Sequence, residues 1–209
     1  MTPRAHDAAA LVFARAPVLG TVKTRLAAAV GPARALAVYE RLAQDVVRAL
    51  TPTPRAWDVV VLGTPDDACE TIERWLPEAD AVWPQGERDL GARLAAAVAR
   101  AFAQGYRRVC LLGTDCPAVD ADRIRSLLAA LDAYDAALAP AEDGGYWALG
   151  LARPLPLFDG VAWSTDRVAD QTRDRLRACG ATWVEVDTAR DLDTDDDLAW
   201  WIAQGWVAP

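Results

Sequence analysis

Short apolar runs of β-like composition alternate with stretches of helical periodicity along this 209-residue chain. "AALVFA" (9–14) predicts a first strand, followed by a Pro/Gly loop and a helix over 24–50 broken near Gly31-Pro32. "WDVVVLG" (57–63) is almost wholly apolar, as a strand covered on both faces must be. A helix over 66–75, a brief strand at "AVWPQ" (81–85) and a helix in "DLGARLAAAVARAFAQG" (89–105) follow, the last ending on a glycine suited to a C-terminal cap. "RRVCLLGTD" (107–115) runs from strand into loop, and Asp120 is placed to cap the helix after it. Two strand pieces flank a Gly-Gly turn in "DAALAPAEDGGYWALGL" (135–151). A helix over 165–179, the strand "TWVEV" (182–186) and a helix over 194–203 complete the pattern. Such alternation predicts an α/β fold, a mostly parallel sheet between two helical layers, with ligands at the carboxyl ends of the strands. With no repeat and no linker-like composition, 1–209 reads as one domain.

The net charge of −8 argues against a nucleic-acid partner, which calls for a basic face. No apolar run approaches the roughly 18 residues a membrane span needs. The first seventeen residues read as a strand rather than a signal peptide, so the expected location is the cytoplasm. Cys69, Cys110, Cys116 and Cys179 are scattered, which fits reduced thiols. The one histidine, His6, falls in an N-terminus expected to fray. A Ser-His-Asp triad, a Cys-His pair and a histidine zinc site therefore all lack their central residue.

What remains is charge. "FARAPVLGTVKTRL" (13–26) holds the only lysine in the chain, Lys23, with Arg15 and Arg25 beside it. The stretch follows a strand and opens a helix, a position suited to phosphate, and Gly20 permits close backbone approach. It is neither a Walker A loop nor GxGxxG, and a solvated basic loop is the competing reading. Asp115 stands just past a buried strand, where a turn aspartate is the alternative. Glu142 and Asp143 precede the Gly144-Gly145 turn, and Asp191 and Asp193 follow the last strand. Asp195, Asp196 and Asp197 fit the first helical turn, complementing its dipole. Hard cations such as Mg²⁺ take one or two carboxylates plus substrate phosphate oxygens. Basic groups and metal together suit phosphoryl or nucleotidyl transfer. Cys116 reads as packing rather than as a nucleophile, having an acidic neighbour and no histidine to activate it. Trp147 and Trp163 read first as core residues, with stacking on a base or sugar as the alternative.

"FARAPVLGTVKTRL", "LLGTDCPA", "PAEDGGYW", "WSTDR" and "RDLDTDDDL" occur in the order seen in the DUF2064 family, which this chain resembles over nearly its whole length. Members are labelled selenodomain- or arsenosugar-associated transferases, and resemble the nucleotide-diphospho-sugar transferase (GT-A) superfamily. Relatives there are the molybdenum-cofactor and 2-phospho-L-lactate guanylyltransferases. The resemblance implies a GT-A, Rossmann-like α/β/α sandwich in which Ala14, Arg15, Gly20, Lys23, Thr24, Arg25 and Thr114 contact nucleotide. It implies Mg²⁺ or Mn²⁺ on Asp115 and Asp193. It also turns Glu142, Asp143, Gly144, Gly145, Trp163, Ser164, Thr165 and Asp166 toward an acceptor. Lys23, Arg25, Asp115 and Asp143 are the expected catalytic set. The molybdenum-cofactor enzymes begin with a glycine-rich "LAGG", where this chain has "FARAP", so base specificity does not carry over. The expected partners are an NTP or NDP-sugar and a small-molecule acceptor, with a homodimer left open. The leading expectation is nucleotidyl transfer with release of pyrophosphate. Glycosyl transfer from a nucleotide sugar and a non-catalytic nucleotide-binding protein are the alternatives.

Overall fold

The computed structural model describes residues 4–209, so residues 1–3 of the stretch read above as free of a signal peptide lie outside it. Strands β1 (Ala8–Arg15), β2 (Asp58–Thr64), β3 (Ala81–Pro84), β4 (Arg108–Leu112), β5 (Ala136–Pro140), β6 (Tyr146–Leu151) and β7 (Trp183–Glu185) form one sheet in the order β3-β2-β1-β4-β6-β5-β7. All pairings are parallel except those of β6, which runs antiparallel to both β4 and β5. The helices are α1 (Thr24–Val30), α2 (Pro32–Ala49), α3 (Cys69–Trp75), α4 (Leu90–Ala103), α5 (Ala121–Ala130), α6 (Val168–Ala178) and α7 (Asp195–Ala203), with a 3₁₀ turn at Asp66–Ala68. The predicted break at Gly31-Pro32 is real: Gly31 has φ 84 and Pro32 opens α2, where its missing N–H costs nothing. Asp120 caps α5 by accepting from the Arg123 amide at 2.8 Å.

The strand period of two sorts side chains to opposite faces. Ala8, Ala10, Val12 and Ala14 of β1 pack with α2, α3 and α5, whereas Ala9 and Leu11 pack with α4 and α6. On α2, Ala35, Val38, Tyr39, Leu42, Ala43, Val46 and Val47 fall at helical spacing and are buried. A third, smaller cluster joins Leu26 of α1 to Val38 and Leu42 of α2 and to Leu192 and Leu198 beside and within α7. It fastens the first loop of the chain to its last helix, over the carboxyl edge of the sheet.

His6 departs from expectation. Rather than fraying, its amide donates to Asp58 Oδ2 at 3.4 Å and its Nε2 stands 4.0 Å from Asp58 Oδ1. Among the described residues, no helix is long and apolar enough to cross a membrane.

Candidate active site

The chain leaves β1, builds β2 and β3 on one side, then returns to place β4 on the other side of β1. The reversal opens a crevice beyond the carboxyl ends of β1 and β4, where ligands bind in such sheets. A cavity of about 670 Å³ lies there. Lys23, Thr24 and Arg25 line it from the β1 loop and Asp115 from the β4 loop. Asp143 and Gly145 come from the β5–β6 turn, and Asp191 and Asp193 from the segment after β7. Trp163, Ser164, Thr165 and Asp166 form a further wall. Ala14, Arg15, Gly20, Thr114, Glu142 and Gly144 do not line it. Arg15 and Glu142 are exposed, while Ala14 and Thr114 are buried at the strand ends.

Lys23 is the centre of the arrangement. Its backbone is left-handed, φ 46 and ψ 46, at the N-cap of α1, a conformation costing an L-residue with a Cβ about 1–2 kcal/mol. Its Nζ donates to Leu192 O at 2.6 Å and to Asp193 Oδ1 at 2.9 Å, and pairs with Asp115 Oδ1. The lysine side chain is 3% exposed, beneath carboxylates that are 47% and 39% exposed. Burial disfavours the ammonium, but the charges and hydrogen bonds of Asp115 and Asp193 outweigh it and raise the pKa above the ordinary lysine value.

The loop carrying Asp193 is held by Asp197, whose role extends beyond the helix dipole. Asp197 Oδ2 accepts from the amides of Asp193 at 3.1 Å and Thr194 at 2.9 Å, and the Thr194 hydroxyl completes a capping box. Burial raises its pKa, yet hydrogen bonds from Thr194 and Arg190 bring it below the ordinary carboxylate value. Across the crevice the Leu192 amide donates to Asp115 O at 2.8 Å, tying the two acidic loops together. Tyr39 of α2 fixes the end of β1: its hydroxyl accepts from the Arg15 amide at 2.8 Å and donates to Arg15 O at 2.7 Å.

Asp191 is the strained member. Its Oδ1 is buried without a hydrogen-bond partner. Burial, then the negative charges of Asp115, Asp143 and Asp193, push its pKa up to about 7. Five carboxylates, those of Asp115, Asp143, Asp166, Asp191 and Asp193, thus meet at this cavity with Lys23 and Arg25 as its cations. Among the described residues, no three acidic, histidine or cysteine side chains are gathered closely enough to hold a metal by themselves. A buried, unpartnered carboxylate oxygen beside three further carboxylates fits a divalent ion that draws its other ligands from phosphate.

Because Asp191 is harder to ionise folded than unfolded, its stabilising effect is complete below its ordinary pKa near 3.8 and is lost as pH rises through about 7. Asp191→Asn should therefore raise Tm at pH 8 in EDTA by about 4–8 °C, from relief on the order of 2 kcal/mol. Near pH 4 the two proteins should melt together. Equal melting temperatures at both pH values would refute the repulsion.

Cys116 is buried, and burial followed by the charge of Asp191 pushes its thiol up to about 12, as its reading as packing requires. Trp147 is a core residue whose Nε1 donates to Asp187 O at 2.9 Å. Trp163 is half-buried on the cavity wall. Sequence reasoning missed Tyr39 and an apolar lining of Phe13, Leu94, Leu111, Tyr146 and Val168, which in sequence looks like ordinary core. The Tyr146 hydroxyl is buried without a partner. Leu90, 40% exposed in the first turn of α4, lies where this apolar surface opens outward.

The chain is 30% identical over 191 residues to a phosphoenolpyruvate guanylyltransferase of Chloroflexus aggregans (strain MD-66 / DSM 9485), spanning 84% of this chain and 88% of that one. A solved structure from Desulfovibrio desulfuricans G20, named as a nucleotide-diphospho-sugar transferase, superposes with a TM-score of 0.87 at 32% identity, covering 96% of this chain and 88% of that one. A cytidylyltransferase of Leptospira borgpetersenii shares the fold at a TM-score of 0.60 and 15% identity, covering 92% and 84%. These likenesses make the chain a transferase of the expected α/β class. The model of a family described as an uncharacterized protein conserved in bacteria matches residues 46–165. By that match and by the extent of these likenesses, the chain belongs to the DUF2064 family.

Proposed function

We propose that the protein is a Mg²⁺- or Mn²⁺-dependent nucleotidyltransferase that joins the nucleotidyl group of an NTP to a small phosphorylated or hydroxyl acceptor. The observation that carries this reading is the meeting of Lys23 and Arg25 with Asp115, Asp193 and the unpartnered Asp191 at the β1/β4 crevice. The name of the guanylyltransferase relative agrees with it.

In this reading an acceptor oxygen attacks the α-phosphorus and a new P–O bond forms. The bond to the bridging oxygen breaks, and pyrophosphate leaves with that electron pair. Arg25, exposed at the start of α1, meets the phosphates, with Thr24 beside it. Asp115 and Asp193 would hold the divalent ion, with Asp191 beside them adding negative charge, and the ion would neutralise charge developing on the phosphate oxygens. The Asp143 carboxylate, already accepting from the Gly145 amide at 2.8 Å, faces the acceptor side with Ser164 and Thr165. The apolar wall of Phe13, Leu94, Tyr146 and Trp163 excludes water from the transfer.

Glycosyl transfer is the second reading, favoured by the name of the Desulfovibrio structure and by Asp143, which could serve there as base. The two part on products. Incubation with each NTP, Mg²⁺ and an acceptor panel that includes phosphoenolpyruvate should release pyrophosphate. Release of NDP from nucleotide sugars, with no pyrophosphate from any NTP, would establish glycosyl transfer instead. The proposed setting is the cytoplasm, with no nucleic-acid partner.

A further inference from the structure

The place between Asp115 and Asp193 is already taken by a side chain. An ammonium has three N–H donors, and Lys23 spends them on the Asp115 carboxylate, Asp193 Oδ1 and Leu192 O. None is left for a phosphate oxygen. With the lysine 3% exposed and its partners 47% and 39% exposed, the ammonium sits on the protein side of the pair and the carboxylates open to the cavity.

Resting on the metal-dependent reading above, we propose that Lys23 is the resident counter-ion of the Asp115–Asp193 pair, occupying it in exchange with the divalent cation. A free divalent ion entering alone meets a cation already seated there. Displacing it strands a buried ammonium with no anion to receive it, and a buried unpaired charge is costly. A cation arriving with a nucleotide changes both halves of the exchange. The metal takes over the carboxylates, and the phosphate oxygens accept the donors that Lys23 gives up. The surrounding charge favours the coupled route, because five carboxylates against Lys23 and Arg25 repel a bare polyphosphate. The loop bearing Lys23 has open space on its outer side: Val18, Leu19 and Gly20 are exposed, and nothing lies within 4 Å of a Cβ placed on Gly20. The exchange also explains the only lysine in a chain otherwise served by arginine. A compact ammonium can hand over its donors one by one, whereas a guanidinium is a rigid planar fork.

The test is Mn²⁺ binding, read from the free-ion EPR signal with no turnover required. The proteins are wild type, Lys23→Met and Asp193→Asn, each with and without the α,β-methylene analogues of GTP and CTP. Without nucleotide, Lys23→Met should bind Mn²⁺ at least tenfold more tightly than wild type. Adding an analogue should tighten wild-type binding at least tenfold and leave Asp193→Asn weak. Equal affinity of wild type and Lys23→Met for free Mn²⁺ would overturn the exchange and leave the metal-dependent reading standing. If Lys23→Met does not fold, the wild-type arm decides alone, since tight binding of free Mn²⁺ there also overturns it. No Mn²⁺ bound by either protein even with nucleotide would overturn the metal-dependent reading itself, and the exchange with it.

Discussion

Asp115→Asn should lower nucleotide-dependent turnover at least about 10³-fold, a loss typical of removing a charge that acts on the developing transition state. The amide keeps the shape of the carboxylate and can still accept from Lys23, but it can neither neutralise that ammonium nor hold a divalent ion. The fold should be unaffected. The Asp115 side chain is 47% exposed, and the contact binding its loop to the 192–193 segment uses the backbone carbonyl. The melting temperature in EDTA should fall by roughly 2–8 °C, because the buried Lys23 ammonium loses one of its two counter-charges while its contacts with Asp193 and Leu192 O remain. Steady-state pyrophosphate release with matched thermal melts makes the comparison, and undiminished turnover would remove Asp115 from the machinery.

Gly144→Ala should cost both stability and turnover, although Gly144 does not itself line the cavity. Gly144 has φ +88, and a Cβ there would stand 2.2 Å from Asp166 O and 2.7 Å from the Asp166 carbonyl carbon and Cα. A side chain could swing aside; a backbone cannot. Gly144 O also accepts from the Ala169 amide at 2.9 Å, so the turn and the start of α6 are joined where Trp163–Asp166 form the cavity wall. The left-handed conformation costs about 1 kcal/mol and the overlap a further 1–3 kcal/mol. At about 2–4 °C per kcal/mol for a chain of this size, Tm should fall by roughly 4–16 °C. Gly180→Ala is the control: φ is +66 and nothing lies within 4 Å of the added Cβ, so only the conformational cost remains, about 2–4 °C. Equal losses in the two variants would show that contact with Asp166 is not the cause.

These residues differ in how visible they are in the sequence. The strands announce themselves because two-sided burial leaves runs such as "DVVVLG" almost without polar residues. The break at Gly31-Pro32 and the cap at Asp120 are local chemistry and were readable as such. The reversal of β6 was not, because "YWALGL" is apolar whichever way it runs, and direction is set by pairing in the β5–β6 hairpin. The acidic and basic loops that converge on the crevice follow from topology, since β1, β4, β5 and β7 run the same way and their carboxyl ends share one edge. The engagement of Lys23 by Asp193 joins residues 170 positions apart, and no spacing rule reaches that far. The burial of Asp191 is likewise a property of the assembled loops. In sequence it is one of several aspartates in "RDLDTDDDL".

The third apolar cluster, which fastens α1 to α7, joins an early part of the chain to a late one. Strands β1 to β6 are complete by Leu151, so most of the sheet can pair on a chain that has yet to receive Leu192, Asp193 and α7. Until those residues emerge, Lys23 has Asp115 as its acidic partner, and Leu26, Val38 and Leu42 lack the cover that Leu192 and Leu198 provide. A nascent chain of this protein thus has its sheet well before Lys23 has its full set of partners, and the last helix is what completes them.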